Sequence, residues 1–344
     1  MHLSEIVENL RSAVGMSPTD NLDRDMKRVI DALAELGALP VEHLSVEKAR
    51  QQPAPTDAVQ KILAEDHRGA EAYAEVASVA AENITIPDAA GGMNAARVYT
   101  PTGQGPFPVI LYFHGGGWVL ADIDTYDATP RSIAMQANAI VVSAHYRQAP
   151  EHPFPAAHED ANAAYKWVLE NAEALGGFSE SIAVMGESAG GNLAINVSIW
   201  ARDNGLQMPV HQALIYPVVS TDMETPSYKE TKHARPLSKA TMKWFFDQVF
   251  ANAKDKDSLL INVTEANLAG LPATTIVTAE VDPLRSEGET LAIRLMGQGT
   301  EVLHQNYLGV THEFFGMASV VAAARQAQTF VFERLCGAFA RKMH

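Results

Sequence analysis

A single serine lies where an apolar segment of strand length is followed at once by a helical pattern. The segment 182–185 stops at Gly186, Ser188 comes two residues later, and the helical pattern begins at Ala189. A strand that turns into a helix this quickly needs small side chains around the turn, and the G-x-S-x-G spacing supplies them. The turn exposes the serine oxygen at a sheet edge, where the first N–H groups of the helix also point. The pattern therefore predicts that Ser188 is a nucleophile.

A run of three glycines after another predicted strand offers a second feature of acyl-transfer chemistry. The sequence His-Gly-Gly-Gly-Trp occupies residues 114–118. Acyl transfer places negative charge on a carbonyl oxygen, and N–H groups fixed in advance stabilise that charge. Lipases and esterases use such runs for this purpose, so we expect Gly115 and Gly116 to donate together with Ala189, and His114 to order the loop by hydrogen bonding. A phosphate-binding loop is the alternative, but its Gly-Lys-Ser/Thr ending is absent.

A serine nucleophile requires a base, and His312 is the best placed of the histidines that follow Ser188. It lies in the segment 309–313, which we expect to be a loop directly after the last strand, at the sheet edge that carries the elbow. A structural loop histidine is the alternative. The other histidines open a strand, lie in a long connection, lie within a strand or end the chain: His211, His233, His304 and His344.

The base in turn requires an acid that orients it, and Asp282 lies where a strand that begins at residue 274 is expected to end. Pro283 follows and stops that strand, because proline cannot donate to a sheet. Glu280 and Glu287 are the alternatives. Glu280 can face either way, and Glu287 is expected to decorate the first turn of a helix. The order serine, acid, histidine is the one found in folds with this elbow.

The elements that position these residues alternate between strand and helix from residue 76 onward. This alternation predicts an α/β fold with a mostly parallel sheet of about eight strands and helices on both faces. Residues 79–86 and 95–99 flank a Gly-Gly pair and are expected to form an antiparallel hairpin. The other predicted strands are 109–113, 139–144, 182–185, 212–216, 274–278 and 302–307, and the predicted helices are 155–175, 189–202, 287–296 and 320–339.

Residues 1–75 carry helical patterns without a strong strand signal. Apolar residues recur every three or four positions within 26–36, and Thr19 or Asp20 is the expected N-cap. Because so short a helical segment would hardly fold alone, we predict that it forms a cap on a catalytic domain of residues 76–344.

Two further stretches bear on this cap. Residues 51–57 hold two prolines and are expected to connect elements. Residues 218–270 are too long for a simple crossover and are a candidate contributor to the cap. They include a helix that Ser238 is expected to cap, and we expect its aromatic face to pack into the domain rather than to bind substrate directly.

Composition limits the classes of partner. The 41 acidic and 26 basic residues give a formal charge of −15, which argues against nucleic acid and anionic membranes. No apolar run approaches the roughly 18 residues of a membrane span, and charged residues within 1–15 argue against a signal peptide, so we expect a cytoplasmic protein. The single cysteine, Cys336, is expected to be a buried helix residue. Histidines without ligand spacing and the lack of paired cysteines argue against a metal site.

Five segments in this order resemble the bacterial hormone-sensitive-lipase-like (family IV) carboxylesterases, which have the α/β-hydrolase fold. The resemblance extends from residue 108 to His312 and beyond. It rests on HGGGWV, YRQAPEHPFPAA, GESAGG, an Asp-Pro-Leu run and the histidine loop, at residues 114–119, 146–157, 186–191, 282–284 and 309–313.

The resemblance implies a serine carboxylesterase that hydrolyses short- to medium-chain acyl esters through an acyl-enzyme, without a cofactor, beneath a helical cap. It also favours a homodimer. An amidase or lactonase with the same triad is the alternative among enzymes, because a triad does not reveal the leaving group. A receptor that binds a small acid or ester is the alternative outside enzymes, although such relatives generally lack the histidine base that this chain has.

Several residues near the site are expected to support it. Trp118 ends the glycine run, and Arg147 and Glu151 are expected to pair and to position their loop near the site. Four residues depart from the family pattern without removing a catalytic group: Glu187 replaces Asp or Thr, Ala121 replaces Gly, Gln148 replaces Leu, and Glu313 replaces Gly.

Overall fold

Eight apolar segments form the strands of one sheet. The computed structural model describes residues 22–342. The strands are β1 Ala80–Pro87, β2 Met93–Thr100, β3 Phe107–Phe113, β4 Ile140–Ala144, β5 Gly177–Glu187, β6 Gln212–Ile215, β7 Thr274–Val281 and β8 Val302–Thr311. Their order across the sheet is β1-β2-β4-β3-β5-β6-β7-β8.

Most of these strands are parallel. β1 pairs antiparallel with β2, with Ala80 opposite Thr100 and Pro87 opposite Met93, which confirms the predicted hairpin. β2 is also antiparallel to β4, whereas the strands from β3 to β8 pair in parallel. The carboxyl ends of the parallel strands therefore meet at one sheet edge, which confirms the predicted mostly parallel architecture.

Helices accompany the strands throughout the described chain. They are α1 Arg24–Glu35, α2 Val46–Gln51, α3 Pro55–Glu65, α4 Gly69–Val76, α5 Ala128–Gln136, α6 Ala156–Asn171, α7 Ala189–Asp203, α8 Pro226–Glu230, α9 Lys239–Val249, α10 Arg285–Gly297 and α11 Ala322–Ala340. Within residues 22–342, none of them combines the length and the apolarity needed to cross a membrane.

Helices cover both faces of the sheet, so each face has its own core. Neighbouring residues of a strand point to opposite faces. Val109 and Leu111 of β3 join a core that includes α6, α7 and α10, whereas Ile110 and Tyr112 join a core that includes α5 and α11. All of β3 is buried, as a parallel strand covered on both sides requires.

The amino-terminal helices α1 and α3 add apolar side chains to the second of these cores. These side chains are Met26, Val29, Val59 and Ile62. Asp23 caps α1 by accepting the N–H of Met26 at 2.6 Å. The predicted caps Thr19 and Asp20 lie outside the described residues.

The helix boundaries within 51–57 and the helix α5 were not predicted, and proline is the reason in both places. Residues 51–57, expected to be a connector, contain the end of α2 and the start of α3. Pro55 is the first residue of α3, where its missing N–H has no helical partner in any case. α5 has Pro130 in its first turn, and this residue hid the helical pattern.

Cys336 is exposed on α11, so the prediction that it is buried is wrong. Leu335 and Phe339 of the same helix face the core. Successive helix residues are rotated by about 100°, because a turn holds about 3.6 residues. Cys336 therefore points away from the face that its neighbours bury.

The connection 218–270 carries α8 and α9. Ser238 caps α9 by accepting the N–H of Thr241 at 3.1 Å, as expected. The apolar face of α9 is buried and consists of Met242, Phe245, Phe246 and Val249. The hydroxyl of Thr241 also donates to a carboxylate oxygen of Glu42 at 2.9 Å, which joins this connection to the amino-terminal segment.

Candidate active site

Ser188 occupies a strained turn between β5 and α7. β5 ends at Glu187, α7 begins at Ala189, and Ser188 has φ 56° and ψ −118°. Gly190 lets the helix start directly against β3, because a Cβ at this position would lie 2.1 Å from the carbonyl oxygen of Phe113. The elbow thus brings Ser188 to the end of the strand that leads into the glycine run.

His312 lies between Ser188 and Asp282. Its Nε2 is 2.9 Å from Ser188 Oγ, and its Nδ1 is 2.7 Å from Asp282 Oδ2. Oδ1 of Asp282 accepts the N–H of Leu284 at 2.9 Å, which fixes the carboxylate directly after β7. All three side chains are buried. A neutral His312 in this position can accept the serine proton while Asp282 orients the ring.

β8 is longer than expected, so the loop predicted at 309–313 is wrong in part. Residues 309–311 belong to the strand, because the pairing with β7 resumes after an irregularity, with Val281 opposite Thr311. His312 is the first residue beyond the strand. Glu313 follows with φ 72°, a left-handed backbone that turns the chain away from the sheet.

The surroundings of His312 favour its charged form. Burial opposes the charge, but the negative charge and hydrogen bond of Asp282, followed by the charges of Glu313 and Glu187, raise the pKa of His312 above its ordinary value. The imidazolium that forms when a serine loses its proton is therefore stabilised in this site.

The glycine run makes a tight turn beside the elbow. Gly116 has φ 97°, and a Cβ at this position would lie 2.1 Å from the carbonyl oxygen of Leu120. A larger residue would therefore be strained and would also collide with the backbone. Ala189 is the first residue of α7, so its N–H has no acceptor within the helix. The N–H groups of Gly115, Gly116 and Ala189 are the candidate donors to an oxyanion.

His114 is tied to the glycine run by its ring. Nδ1 lies 2.8 Å from the carbonyl oxygen of Gly115, and Nε2 lies 3.0 Å from Nδ1 of His145. Because a carbonyl only accepts, we assign the proton to Nδ1 of His114. Burial, followed by the charge of His145, lowers the pKa of His114 to about 3, so the ring is neutral at physiological pH.

Gln148 holds the far end of the same loop. Its Nε2 donates to the carbonyl oxygens of Leu120 and Ala121, each at 2.9 Å. Ala121 has φ 65°, where glycine would be unstrained. The glutamine therefore supports a backbone conformation that the alanine disfavours.

The two alternative acids bind elsewhere. Glu280 accepts the N–H of Gly309 at 2.7 Å. Glu287 lies in the first turn of α10, as predicted, but it is buried and accepts the N–H of Val219 at 2.7 Å. Burial, with a contribution from the charge of Asp282, raises the pKa of Glu287 well above its ordinary value.

Arg147 and Glu151 do not pair with each other, so this prediction is also wrong. Arg147 Nη2 lies 2.8 Å from Oδ1 of the buried Asp160. Glu151 instead pairs with Arg50 of α2 at 2.8 Å. The side chain of Arg147 points toward α6, whereas that of Glu151 points toward the amino-terminal helix α2. The two side chains therefore do not meet.

Arg50 is a residue that the sequence analysis missed. Its Nε donates to the carbonyl oxygen of Val119 and its Nη2 to that of Ala149, each at 2.9 Å. These carbonyls belong to the glycine-run loop and to the loop after β4, which are joined by a hydrogen bond from the N–H of Ala149 to the carbonyl oxygen of Trp118. No local pattern marks Arg50, because its partners are distant in the chain.

Glu187 is buried beneath the serine and serves as an acceptor for two tyrosines. Its carboxylate oxygens accept from the hydroxyls of Tyr112 at 2.6 Å and Tyr216 at 2.5 Å. Burial raises the pKa of Glu187 to about 7. The ring of Tyr216 packs against that of His312, with 4.5 Å between their centroids.

A cavity of about 560 Å³ adjoins Ser188 and His312. Its walls come from the amino-terminal helices and from the 218–270 connection as well as from the sheet edge, and they include Leu33, Val59, Met242 and Phe245. Two residues of the α9 face therefore line the cavity in addition to packing. Trp118 also lines it, and its indole N–H has no hydrogen-bond partner among the described residues.

Known proteins resemble the chain over most of its length. A family model described as alpha/beta hydrolase fold matches residues 110–316. Carboxylesterase NlhH of Mycobacterium tuberculosis is 41% identical over 236 residues, which cover 67% of this chain and 74% of that protein. Ethyl acetate hydrolase of Pseudomonas putida is 31% identical over 305 residues, which cover 86% of this chain and 92% of that protein.

A solved structure agrees with these relatives. An esterase of Pyrobaculum calidifontis superposes with a TM-score of 0.77 at 36% sequence identity, covering 86% of this chain and 94% of that one.

Proposed function

The chain belongs to the hormone-sensitive-lipase-like carboxylesterases of the α/β-hydrolase fold, and we propose that it hydrolyses short- to medium-chain acyl esters with Ser188, His312 and Asp282. As a family member it is a carboxylic ester hydrolase that uses a serine. The roles of the three residues are supported by their geometry, because His312 lies at hydrogen-bond distance from both other residues, 2.9 Å from Ser188 Oγ and 2.7 Å from Asp282 Oδ2.

The mechanism follows from the hydrogen bonds among Ser188, His312 and Asp282. His312 accepts the proton of Ser188 at Nε2 while Oγ attacks the ester carbonyl, and Asp282 stabilises the imidazolium. The N–H groups of the glycine run and of the helix start hold the negative carbonyl oxygen. His312 then protonates the departing alkoxide. The same histidine then deprotonates a water that attacks the acyl-enzyme, and as the bond to Ser188 Oγ breaks His312 returns the proton to Oγ and the acid leaves.

The cavity supports a small, mostly apolar substrate. Its volume of about 560 Å³ is in the range of sites that enclose small molecules. Aliphatic and aromatic side chains form much of its wall, which suits acyl and alcohol groups without charge. The name of ethyl acetate hydrolase states a short ester as the substrate of that relative, which favours short acyl groups here as well.

We also propose that residues 1–75 and the 218–270 connection form one cap over the catalytic domain 76–344. Within the described part of the chain, Arg235 of the connection pairs with Glu42 at 3.3 Å. Both segments contribute to the cavity wall. The predicted cytoplasmic location and homodimer stay predictions, and sedimentation equilibrium of the purified protein tests the dimer.

Replacing the nucleophile tests the proposal directly. Ser188→Ala should lower turnover of 4-nitrophenyl acetate by about a millionfold, because a triad without its serine keeps only oxyanion stabilisation and binding. A fluorophosphonate should label the wild type but not this variant. Ser198→Ala removes another buried hydroxyl of α7 and should keep both activity and labelling. Retained turnover by purified, folded Ser188→Ala would reject the assignment.

A matched substrate series separates an esterase from an amidase or lactonase. Butyrate presented as an ester, as an anilide and within a lactone keeps the acyl portion similar while the leaving group changes. We expect the largest kcat/KM for the ester and a decline as the acyl chain grows beyond medium length. A larger kcat/KM for the anilide or lactone would replace the ester assignment.

A further inference from the structure

A second carboxylate approaches the catalytic histidine at the nitrogen that Asp282 does not contact. Glu313 Oε1 lies 3.9 Å from His312 Nε2, whereas Asp282 binds Nδ1. Nε2 is the atom that takes the proton from Ser188 in the proposed reaction. A negative charge at this distance attracts the positive charge that proton transfer creates on the ring.

The position of Glu313 is fixed by a buried tyrosine. Its Oε2 accepts from the hydroxyl of Tyr126 at 2.5 Å. The Tyr126 hydroxyl also packs against the glycine run, since a Cβ on Gly115 would lie 2.4 Å from it. The backbone of Glu313 is left-handed, at φ 72°, which is a strained state for a residue with a side chain. Strain of this kind next to a reacting group points to a role for the side chain.

Other titratable groups also surround His312. Asp282, Glu313 and Glu187 act on its charge, and the ring of Tyr216 packs against it. Burial raises the pKa of Tyr216 well above its ordinary value, so this hydroxyl stays neutral and donates to Glu187. The charge of Glu313 adds to the effect of burial on Glu187, whose pKa is about 7. Glu187 therefore titrates in the same range as a histidine and must be controlled for.

We propose that Glu313 is a positioning residue that acts through His312, its carboxylate stabilising the imidazolium at Nε2 while Asp282 does so at Nδ1. The inference rests on the proposed roles of Ser188 and His312. It predicts that the interaction between Glu313 and His312 affects both the acid-limb pKa and the plateau of kcat/KM. The imidazolium forms when the free enzyme is protonated, and it forms again in the transition state.

Glu313→Gln keeps the size of the side chain and removes its charge. The apparent pKa of the acid limb of kcat/KM should fall by about one unit, as expected when an opposite charge about 4 Å away is lost. The plateau of kcat/KM above that limb should fall by up to about tenfold, the factor that corresponds to one pKa unit. A side chain that only supported the loop would lower the plateau without lowering the pKa.

Three controls accompany this variant. Glu180→Gln removes an exposed carboxylate and should leave both quantities unchanged. Glu187→Gln removes the second carboxylate that could titrate in this range. Adding Glu313→Gln to this variant should still lower the acid-limb pKa, because the effect of Glu313 acts on His312 and not on Glu187. If Glu313→Gln does not fold, Glu313→Gly removes the same charge, relaxes the left-handed backbone and carries the same expectation.

An unchanged acid-limb pKa in folded Glu313→Gln or Glu313→Gly would overturn the inference. That result leaves the proposed function intact as long as Ser188→Ala is inactive and the wild type is labelled by the fluorophosphonate. A wild type that is not labelled would instead reject the proposed function itself.

Discussion

The sheet edge and the amino-terminal segment 36–57 border the same cavity but are held in different ways. At the edge, Ser188, Asp282 and His312 are buried and hydrogen-bonded to one another, and each directly follows a parallel strand. In the described segment 36–57, Ala49 alone is buried.

The contacts of that segment with the loops around the site are largely polar. In the pair of Arg50 with Glu151, the side chains are 30% and 55% exposed. An exposed ion pair contributes about 1 kcal/mol or less, whereas an unpartnered buried polar group costs about 1–3 kcal/mol. The chemistry is therefore built on the rigid region, and the wall of the cavity formed by 36–57 can change at little cost.

The largest effect is expected at the sheet edge, when the acid Asp282 is replaced. Asp282→Asn should lower kcat by about ten-thousandfold, because an amide favours the wrong histidine tautomer and does not stabilise the imidazolium. Glu280→Gln is the matched control and should retain most of the activity, since Glu280 binds Gly309 instead. Steady-state kinetics with a short ester measures both. A greater loss in the control would transfer the role of the acid to Glu280.

The next effect concerns the glycine run at the same edge. Gly116→Ala should lower kcat by at least about a hundredfold, the cost of losing one oxyanion donor, because its Cβ would meet the Leu120 carbonyl oxygen at 2.1 Å. Gly297→Ala, on the open side of α10, has no such contact and should leave kcat unchanged. Equal kcat values for the two variants would show that the backbone of the glycine run can change without loss of activity.

The pH dependence of activity tests the electrostatic surroundings of His312. The base must be neutral to act, and the pKa of His312 is raised above 6.5. We therefore expect the midpoint of the acid limb of kcat/KM above pH 6.5 and about a tenfold loss for each pH unit well below it. Initial rates in buffers of constant ionic strength measure the limb. A midpoint well below 6.5 would contradict the stabilised imidazolium.

The smallest effect is expected at the exposed ion pair between Glu151 and Arg50. Glu151→Gln should lower the free energy of unfolding by about 1 kcal/mol or less and should change KM more than kcat, since it removes only this pair beside the cavity and leaves the triad intact. Arg147→Gln is the contrasting variant. It leaves the buried Asp160 without its ion-pair partner and should cost about 3 kcal/mol. Urea unfolding gives both values, and equal costs would remove the distinction between the two regions.

Local chain geometry explains why much of the site was predictable. An elbow at Ser188 needs glycines within two residues, and Asp282 and His312 lie at the ends of strands whose apolar runs are short and clear. These signals depend on neighbours in the chain. They predicted that the serine, the acid and the histidine follow strands in that order along the chain, and the structure brings these three residues together at one sheet edge.

Side-chain partners were predicted less well. Arg147 and Glu151 are close in the chain and opposite in charge, yet Arg147 binds Asp160 and Glu151 binds Arg50. Glu287 does lie in the first turn of a helix, as its sequence position predicts, but the helix packs against the 218–270 connection, so Glu287 is buried and binds Val219. In each case a contact between distant elements overrode a local tendency.

Local sequence patterns were enough to predict the α/β class, the mostly parallel sheet and the positions of Ser188, Asp282 and His312 after strands, because strand period, turn chemistry and glycine spacing act over a few residues. Only the tertiary structure shows which carboxylates besides Asp282 act on His312. Glu313 reaches it through a left-handed turn after β8. Glu187 lies beside it and binds Tyr216, whose ring packs against His312.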